Sequence, residues 1–462
     1  MLEKFLNIFR IPDLRKRVFF TAGILAVYRL GAWIPTPGVD TAKLQILFNS
    51  SQNSSALGLM DLFSGGTLRR MAIFALGIMP YITASIIFQL LTVVYEPLAR
   101  IQKEGELGQR KITQWTRYLT VVLGVLQSIG IAAILTRQGL VLNPGIGFYL
   151  LTVLTLTAGT TFIMWLGEQI TDRGIGNGMS LLIFAGIVAG LPGGVGDMLE
   201  KVKTNAWGSM TIIVTLLLLA GMVAVVAFIV FVERSERRVP IQSARRIVGR
   251  RLMGGQSSHL PLRVNSGGVM PIIFASSILS APMLFGGSSF VQNSRFLEPI
   301  MQALQPGWPW YELLDMLGIV FFAFFYVSII MKPDDIADNF RKSGSFIPGI
   351  RPGKRTSDYI NDILTRITLV GALYLILVQL IPTFLISGLR FDKLWLVGKY
   401  FENLPNFMIH GMGVSFYFGG TSLLIVVGVA MDTINQIESQ LVMRHYDGFS
   451  PRSGRIRGRK TW

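Results

Sequence analysis

The sequence predicts an all-α protein that crosses a membrane ten times. Three observations carry this expectation. The chain is 51% hydrophobic and only 15% charged, against roughly 25% charged in soluble domains. Ten apolar runs are separated by polar stretches, and the Lys and Arg residues concentrate in alternate connections. Mean hydropathy is +0.51. The 30 Phe and 49 Gly fit the class, because small residues let spanning helices approach closely.

The N-terminal stretch MLEKFLNIFRIPDLRKR lacks the long apolar core and small-residue cleavage site of a signal peptide, and reads as a retained basic amphipathic segment. The first apolar run is about Val18 to Ile34. The second belongs to a composite stretch from Leu57 to Leu91, whose later part, Met71 to Leu91, carries no formal charge and is long enough to cross a hydrocarbon core of roughly 30 Å. Its earlier part is too polar for that. Asp61, Ser64, Arg69 and Arg70 interrupt it, and Gly65 with Gly66 adds a flexible point. A half-helix joined to a full one is the expectation, and irregular backbone at membrane depth requires a pore or site to satisfy it; the alternative is a surface loop leading into an ordinary span.

The remaining runs are about Tyr118 to Leu135, Phe148 to Leu166, Met179 to Leu191, Thr211 to Val232, Val269 to Phe285, Leu313 to Met331, Ile367 to Leu385 and Phe416 to Met431. Met179 to Leu191 is short for a crossing and must borrow Asn177 and Gly178. Of the 43 Lys and Arg, 32 lie in the two tails and in the connections on one side. The excess of basic residues marks the cytoplasmic side, so both termini are expected there, and the formal charge of +17 is mainly a topology signal with some left for anionic lipids or partners.

Two connections on that side, Glu233 to Gly268 and Lys332 to Arg366, far exceed the roughly 2–8 residues that join helices. They suit docking of a large acidic partner, positive-inside anchoring, or contact with anionic lipid. Arg250, Arg251 and Arg351 have the chemistry for bidentate pairing with phosphate or carboxylate. The ionisable residues Arg29, Glu168, Asp315 and Asp432 fall near the predicted span ends, where a charge can reach the interface. Gln89, Asn177, Thr83 and Ser85 supply uncharged polar groups within the spans; Gln89 is either interhelical glue or part of a gate.

Soluble chemistry is poorly represented. The chain has no cysteine, and His259, His410 and His445 are far apart, so no metal site is expected. GIGNG at Gly174 to Gly178 joins two apolar spans instead of a strand and a helix, which excludes a dinucleotide fingerprint. The run from Gly349 to Lys354 has the wrong spacing for a phosphate loop. A secondary transporter would use a broken helix too, but it would place carboxylates or histidines near the midplane. A membrane-integral enzyme would need a nucleophile and base, and none is recognisable.

Several long strings, in order, carry a resemblance: FSGGTLRRMAIFALGIMPYITASI, KEGELGQRKITQ, MWLGEQITDRGIGNGMSLLIFAGIVAG, SSHLPLRVN, KSGSFIPGIRPGKRT and FYFGGTSLLIVVGVAMD. The chain resembles the SecY family, the central subunits of bacterial protein-conducting channels, over nearly its whole length. The resemblance implies two pseudo-symmetric halves, spans one to five and six to ten, around an hourglass pore. It implies an N-tail at 1–17, an N-terminal half at 18–191, an outer loop at 192–210, a C-terminal half at 211–431 and a basic tail at 432–462. A plug would run from Asp61 and Leu62 through Phe63, Ser64, Gly65, Gly66, Thr67, Leu68 and Arg69 to Arg70. A sealing ring would comprise Ile78, Ile82, Met179, Ile183, Ile273 and Ile425, where Met179 replaces an expected isoleucine; Ile78 with Ile82, and Met179 with Ile183, have the spacing of one helix face.

The resemblance also implies a lateral gate between spans two and three and spans seven and eight, with Gln89, Ser276 and Ser277 lining it. Arg250, Arg251 and Arg351 would dock SecA or the ribosome. SecE, SecG and SecDF would be partners, signal sequences and unfolded preproteins the passengers, the bacterial inner membrane the location, and no cofactor or catalytic group would be needed. One departure stands out. The outer segment LRFDKLWLVGKYFENLPNFMIHGMG, about 389–413, replaces a short connection and is expected to form an interfacial helix, with a docking site or an ornament as the alternatives.

Overall fold

The computed structural model describes residues 11–44, 61, 64–204, 211–243, 246–248, 251–253, 257–286, 304, 308–387 and 420–447. Leu62, Phe63, Arg250, the segment 389–413 and much of both tails lie outside the described residues. Among the described residues, ten helices of 16 residues or more overlap the apolar runs: α1 (Pro12–Gly31), α2 (Met79–Val94), α4 (Glu106–Arg137), α5 (Ile146–Arg173), α6 (Gly178–Lys203), α7 (Thr211–Glu233), α8 (Met270–Gly286), α9 (Pro309–Ile330), α11 (Lys354–Ser387) and α12 (Gly420–Asp447). Two short amphipathic helices, α3 (Glu96–Lys103) and α10 (Pro333–Ser343), stand between them.

By length and apolarity six helices among the described residues can cross a bilayer alone, or seven if α2 and α3, bent by 100°, count as one broken span. The 32 residues of α4 extend about 48 Å at 1.5 Å per residue, so its basic end projects beyond the hydrocarbon core. The helices α1 to α6 and α7 to α12 meet along two edges: α2 and α4 touch α8, while α6 touches α7 and α12. The largest apolar cluster draws on both groups and fills the space between these edges. A second cluster, from Val39 and Leu44 through Leu68 and Met71 to Leu140 and Phe148, packs the face opposite the basic connections. There Asp40 begins a short helical turn, and hydrogen bonds to it, first from the Lys43 N–H, hold its carboxyl below the usual carboxylate range.

The second span differs from expectation. Helix α2 starts at Met79 instead of Met71, and the chain from Gly65 to Ile78 runs as turns apart from a one-residue bridge between Ala72 and Pro35. Pro80 supplies the reason: it has no N–H to give and its ring would clash with the Leu76 carbonyl, so a helix can begin there but not run through. The fifth span is longer than its apolar run. Asn177 caps α6 by accepting from Met179 N at 3.1 Å and Ser180 N at 3.5 Å, and the helix continues past Pro192. Its start crosses α5 so closely that a Cβ on Gly178 would lie 1.9 Å from the Gly167 oxygen.

The two long basic connections are folded. Strands β1 (Glu236–Ser243) and β4 (Ser257–Arg263) pair antiparallel, with β2 (Arg246–Val248) and β3 (Arg251–Met253) paired beyond them. Strand β5 (Ser345–Phe346), from the other connection, adds to β1, giving the order β4-β1-β5. Val239 and Ile241 turn inward on β1 while Arg238 and Pro240 face out, which is the period of two of a half-buried strand. The sheet rests on Val327 of α9 and on Ile360 and Leu364 of α11.

Asp315 also departs from its expected place at an interface. It is only 2% exposed, enclosed between α9 and α11, where the Gln379 amide donates to its Oδ2. It lies about 9 Å along α9 at 1.5 Å per residue, short of the middle of that helix. Glu168 pairs with Arg117 at 2.7 Å and Asp432 with Arg263 at 3.6 Å.

Candidate pore, plug and gate

The six ring candidates come from four helices. Ile78 is the residue before α2, and the Ile82 N–H donates to its carbonyl at 3.1 Å, so the two side chains sit one turn apart. Met179 and Ile183 repeat this spacing on α6, with Ile273 near the start of α8 and Ile425 on α12. All six join the one central apolar cluster; Ile425 is fully buried, and Met179 is half-buried at the margin with its sulfur against Gly167 of α5. Both groups of helices therefore contribute aliphatic side chains to a single cluster. Such a lining excludes water and ions when closed, and deforms without making directed bonds.

Packed into the second cluster through Leu68, and against α6 through Gly65, are Asp61 and Ser64 to Arg70. They form a unit with its own bonds. The Asp61 carboxylate receives the Arg69 guanidinium at 2.8 Å and the Arg69 N–H at 3.0 Å. Gly66 N–H and Ser64 Oγ both donate to the Asp61 carbonyl, at 2.9 and 3.1 Å, and Thr67 Oγ1 lies 3.0 Å from the Ser64 and Phe74 carbonyls. Asp61, Ser64, Thr67 and Leu68 are buried. A polar segment buried in this way meets its hydrogen bonds within itself and with its neighbours, the turn before α2 among them.

The gate candidates lie where the two helix groups touch, with α2 and α4 on one side and α8, backed by α9, on the other. Gln89 donates to Ser85 at 3.3 Å, and Ser276 to the carbonyls of Ile272 and Ile273 at 2.9 and 3.2 Å. Those bonds run within their own helices and leave the seam itself mainly apolar. Ser277 is buried, and its hydroxyl has no hydrogen-bond partner among the described residues. An unmet hydroxyl of this kind weakens closed packing.

The start of α8 is pinned by residues that sequence reasoning missed. Asn265 donates to Glu233 Oε1 at 2.7 Å and to the Gly268 carbonyl at 3.1 Å, tying the turn before α8 to the end of α7. Their separation along the chain hid the pairing. Of the docking candidates, Arg351 is exposed just before α11, its carbonyl accepting from Thr356 Oγ1 at 2.9 Å. Arg251 opens β3 and pairs with Val248.

A helical membrane protein is thus defined, in which two groups of helices converge on one aliphatic cluster, with a short polar segment packed beside it. The chain belongs to the SecY family, whose model matches residues 72–434. It is 48% identical over 445 residues to the protein translocase subunit SecY of Escherichia coli strain K12, covering 95% of this chain and 94% of that one. Among solved structures, one described as "The structure of a protein conducting channel" matches with a TM-score of 0.62 at 17% identity, over 94% of each chain. Another, whose description assigns a SecY plug domain to stabilising the closed channel and maintaining a membrane seal, matches at 0.60 and 18% identity, again over 94% of each chain. At such identities the structures support the fold; the family rests on the sequence matches.

Proposed function

We propose that the chain is the pore-forming subunit of a protein translocase, conducting unfolded secretory polypeptides across a bacterial inner membrane and releasing apolar segments sideways into lipid. The observation that carries this reading is the convergence of Ile78, Ile82, Met179, Ile183, Ile273 and Ile425, from both helix groups, into one apolar cluster. Residues 61–70 are its plug, the α2 and α4 seam with α8 and α9 its lateral gate, and all ten long helices its spans. The constriction lacks directed polar groups, so it tolerates any sequence in transit. Basic residues place the sheet and both termini in the cytoplasm.

Transport needs an energy source, and the chain's own residues offer none. The cytoplasmic sheet, with Arg251 and the exposed Arg351, is the docking surface for SecA or the ribosome, while SecE, SecG and SecDF complete the assembly. Signal sequences open the seam by competing with its packing. The test is reconstitution of the full chain with SecE, SecG and SecA in lipid vesicles. A secretory precursor should become protected from added protease in an ATP-dependent manner, and Arg351→Glu should reduce that protection about tenfold, as expected for losing one charge-assisted contact. Absence of protection with the unaltered chain contradicts the reading.

A further inference from the structure

The last turns of α1 and the strand-like stretch after them run alongside the segment from Ser64 to Phe74. Two kinds of attachment differ along that length. At the α2 end the hold is by backbone: Thr36 N–H donates to Met71 O at 2.7 Å, Ile73 N–H donates to Ile34 O at 2.9 Å, and Pro35 bridges Ala72. The Phe74 ring stacks on Tyr28 with centroids 5.9 Å apart, and the Arg70 guanidinium lies 3.7 Å from the centre of the Trp33 ring. At the far end the hold is by side chains. Tyr28 Oη donates to the Ser64 carbonyl at 3.4 Å, and Arg29 Nη1 donates to the Gly65 carbonyl at 3.2 Å.

Those two carbonyls belong to the part of the plug that presses on α6. Gly65 has φ +71, and a Cβ there would lie 2.6 Å from the Gly186 Cα, so backbone meets backbone with no side chain between. Such a contact is tight but carries no directed bond. The Tyr28 and Arg29 bonds supply the direction.

We propose that Tyr28 and Arg29 form a latch that positions the plug. The stretch from Met71 to Phe74 is a fixed anchor zipped to the end of α1, and the piece from Ser64 to Gly66 swings free of Gly186 when the two side-chain bonds break. This inference rests on reading residues 61–70 as a plug. It assigns a task to Arg29, a cation near the outer end of a span for which sealing and docking have no use.

The test uses the absence of cysteine in the natural chain. Ser64→Cys and Ala72→Cys each place one thiol at a buried position, Ser64 on the swinging piece and Ala72 on the anchor. Full chains in native membranes are treated with a membrane-impermeant maleimide from the outer side. With Tyr28→Phe and Arg29→Gln added, Ser64→Cys should react about tenfold faster, the effect of losing two such bonds, while Ala72→Cys stays protected. Arg29→Lys, which keeps a cationic donor, should hold the rate close to that of Ser64→Cys alone. An unchanged Ser64→Cys rate, or equal acceleration at Ala72→Cys, overturns the latch. Faster labelling at Ser64→Cys, combined with no change in ion conductance when residues 61–70 are deleted, overturns the plug reading instead.

Discussion

Deleting residues 61–70 raises the ion conductance of membranes containing the chain, on the order of ten- to a hundredfold in open population. As the proposed plug, the segment closes the constriction through buried polar residues bonded to one another and to Tyr28, Arg29 and the neighbouring turn. Removing it leaves the aliphatic ring as the sole barrier. A ring of aliphatic side chains seals by excluding water, and thermal opening between α2 and α8 lets it wet. Planar-bilayer recording or the dissipation of an imposed ion gradient reads the effect. A segment serving only as a surface loop would leave conductance unchanged and lower stability at most.

Replacing Ile82 and Ile183 together with Ser also produces leak, by a different route. Each hydroxyl offers water a partner inside the proposed constriction, and both positions belong to the one central cluster, so two of its lining groups become wettable together. Conductance should rise with the plug still present, and rise further when residues 61–70 are also deleted. The stability readout separates a pore lining from an ordinary core. Truncating a packed core isoleucine costs about 2–5 kcal/mol, whereas side chains that line a space opening to water lose less, so thermal unfolding in detergent should shift less than the core value requires.

Much of the architecture was legible from hydropathy, because the interior of a bilayer demands long apolar helices, and the described residues form a mostly helical protein with six or seven helices long and apolar enough to cross. The boundary of α2 was not, since hydropathy scores apolar turns and apolar helix alike. The local signals were present in Pro80, which can start a helix but not continue one, and in Gly77 with φ +56 just before it. The sheet in the basic connections was equally readable in principle: Val239 with Ile241, and Leu260 with Leu262, alternate at the period of a strand. Charge dominated that stretch and made it look like loop.

Long-range pairings were beyond reach. Nothing local to Asp315 foretells Gln379 of α11, and nothing near Tyr28 foretells the Ser64 carbonyl. The ring was legible differently. Ile78 with Ile82 and Met179 with Ile183 announced two helix faces by spacing, but their convergence with Ile273 and Ile425 depended on how α2, α6, α8 and α12 pack. Met179 shows the limit: its thioether fills space against Gly167, a flexible filler where a branched side chain would fit less readily.

The central claim, that polypeptide passes through this constriction, is tested most directly by crosslinking. Ile82→Cys in the otherwise cysteine-free chain is combined with a secretory precursor carrying one cysteine and arrested midway by a folded C-terminal domain. The account predicts a disulfide between the two that forms only while the precursor is engaged, and only when its cysteine lies in the segment spanning the membrane. A precursor that is translocated normally yet never crosslinks to Ile82→Cys, at any cysteine position along that segment, would contradict it.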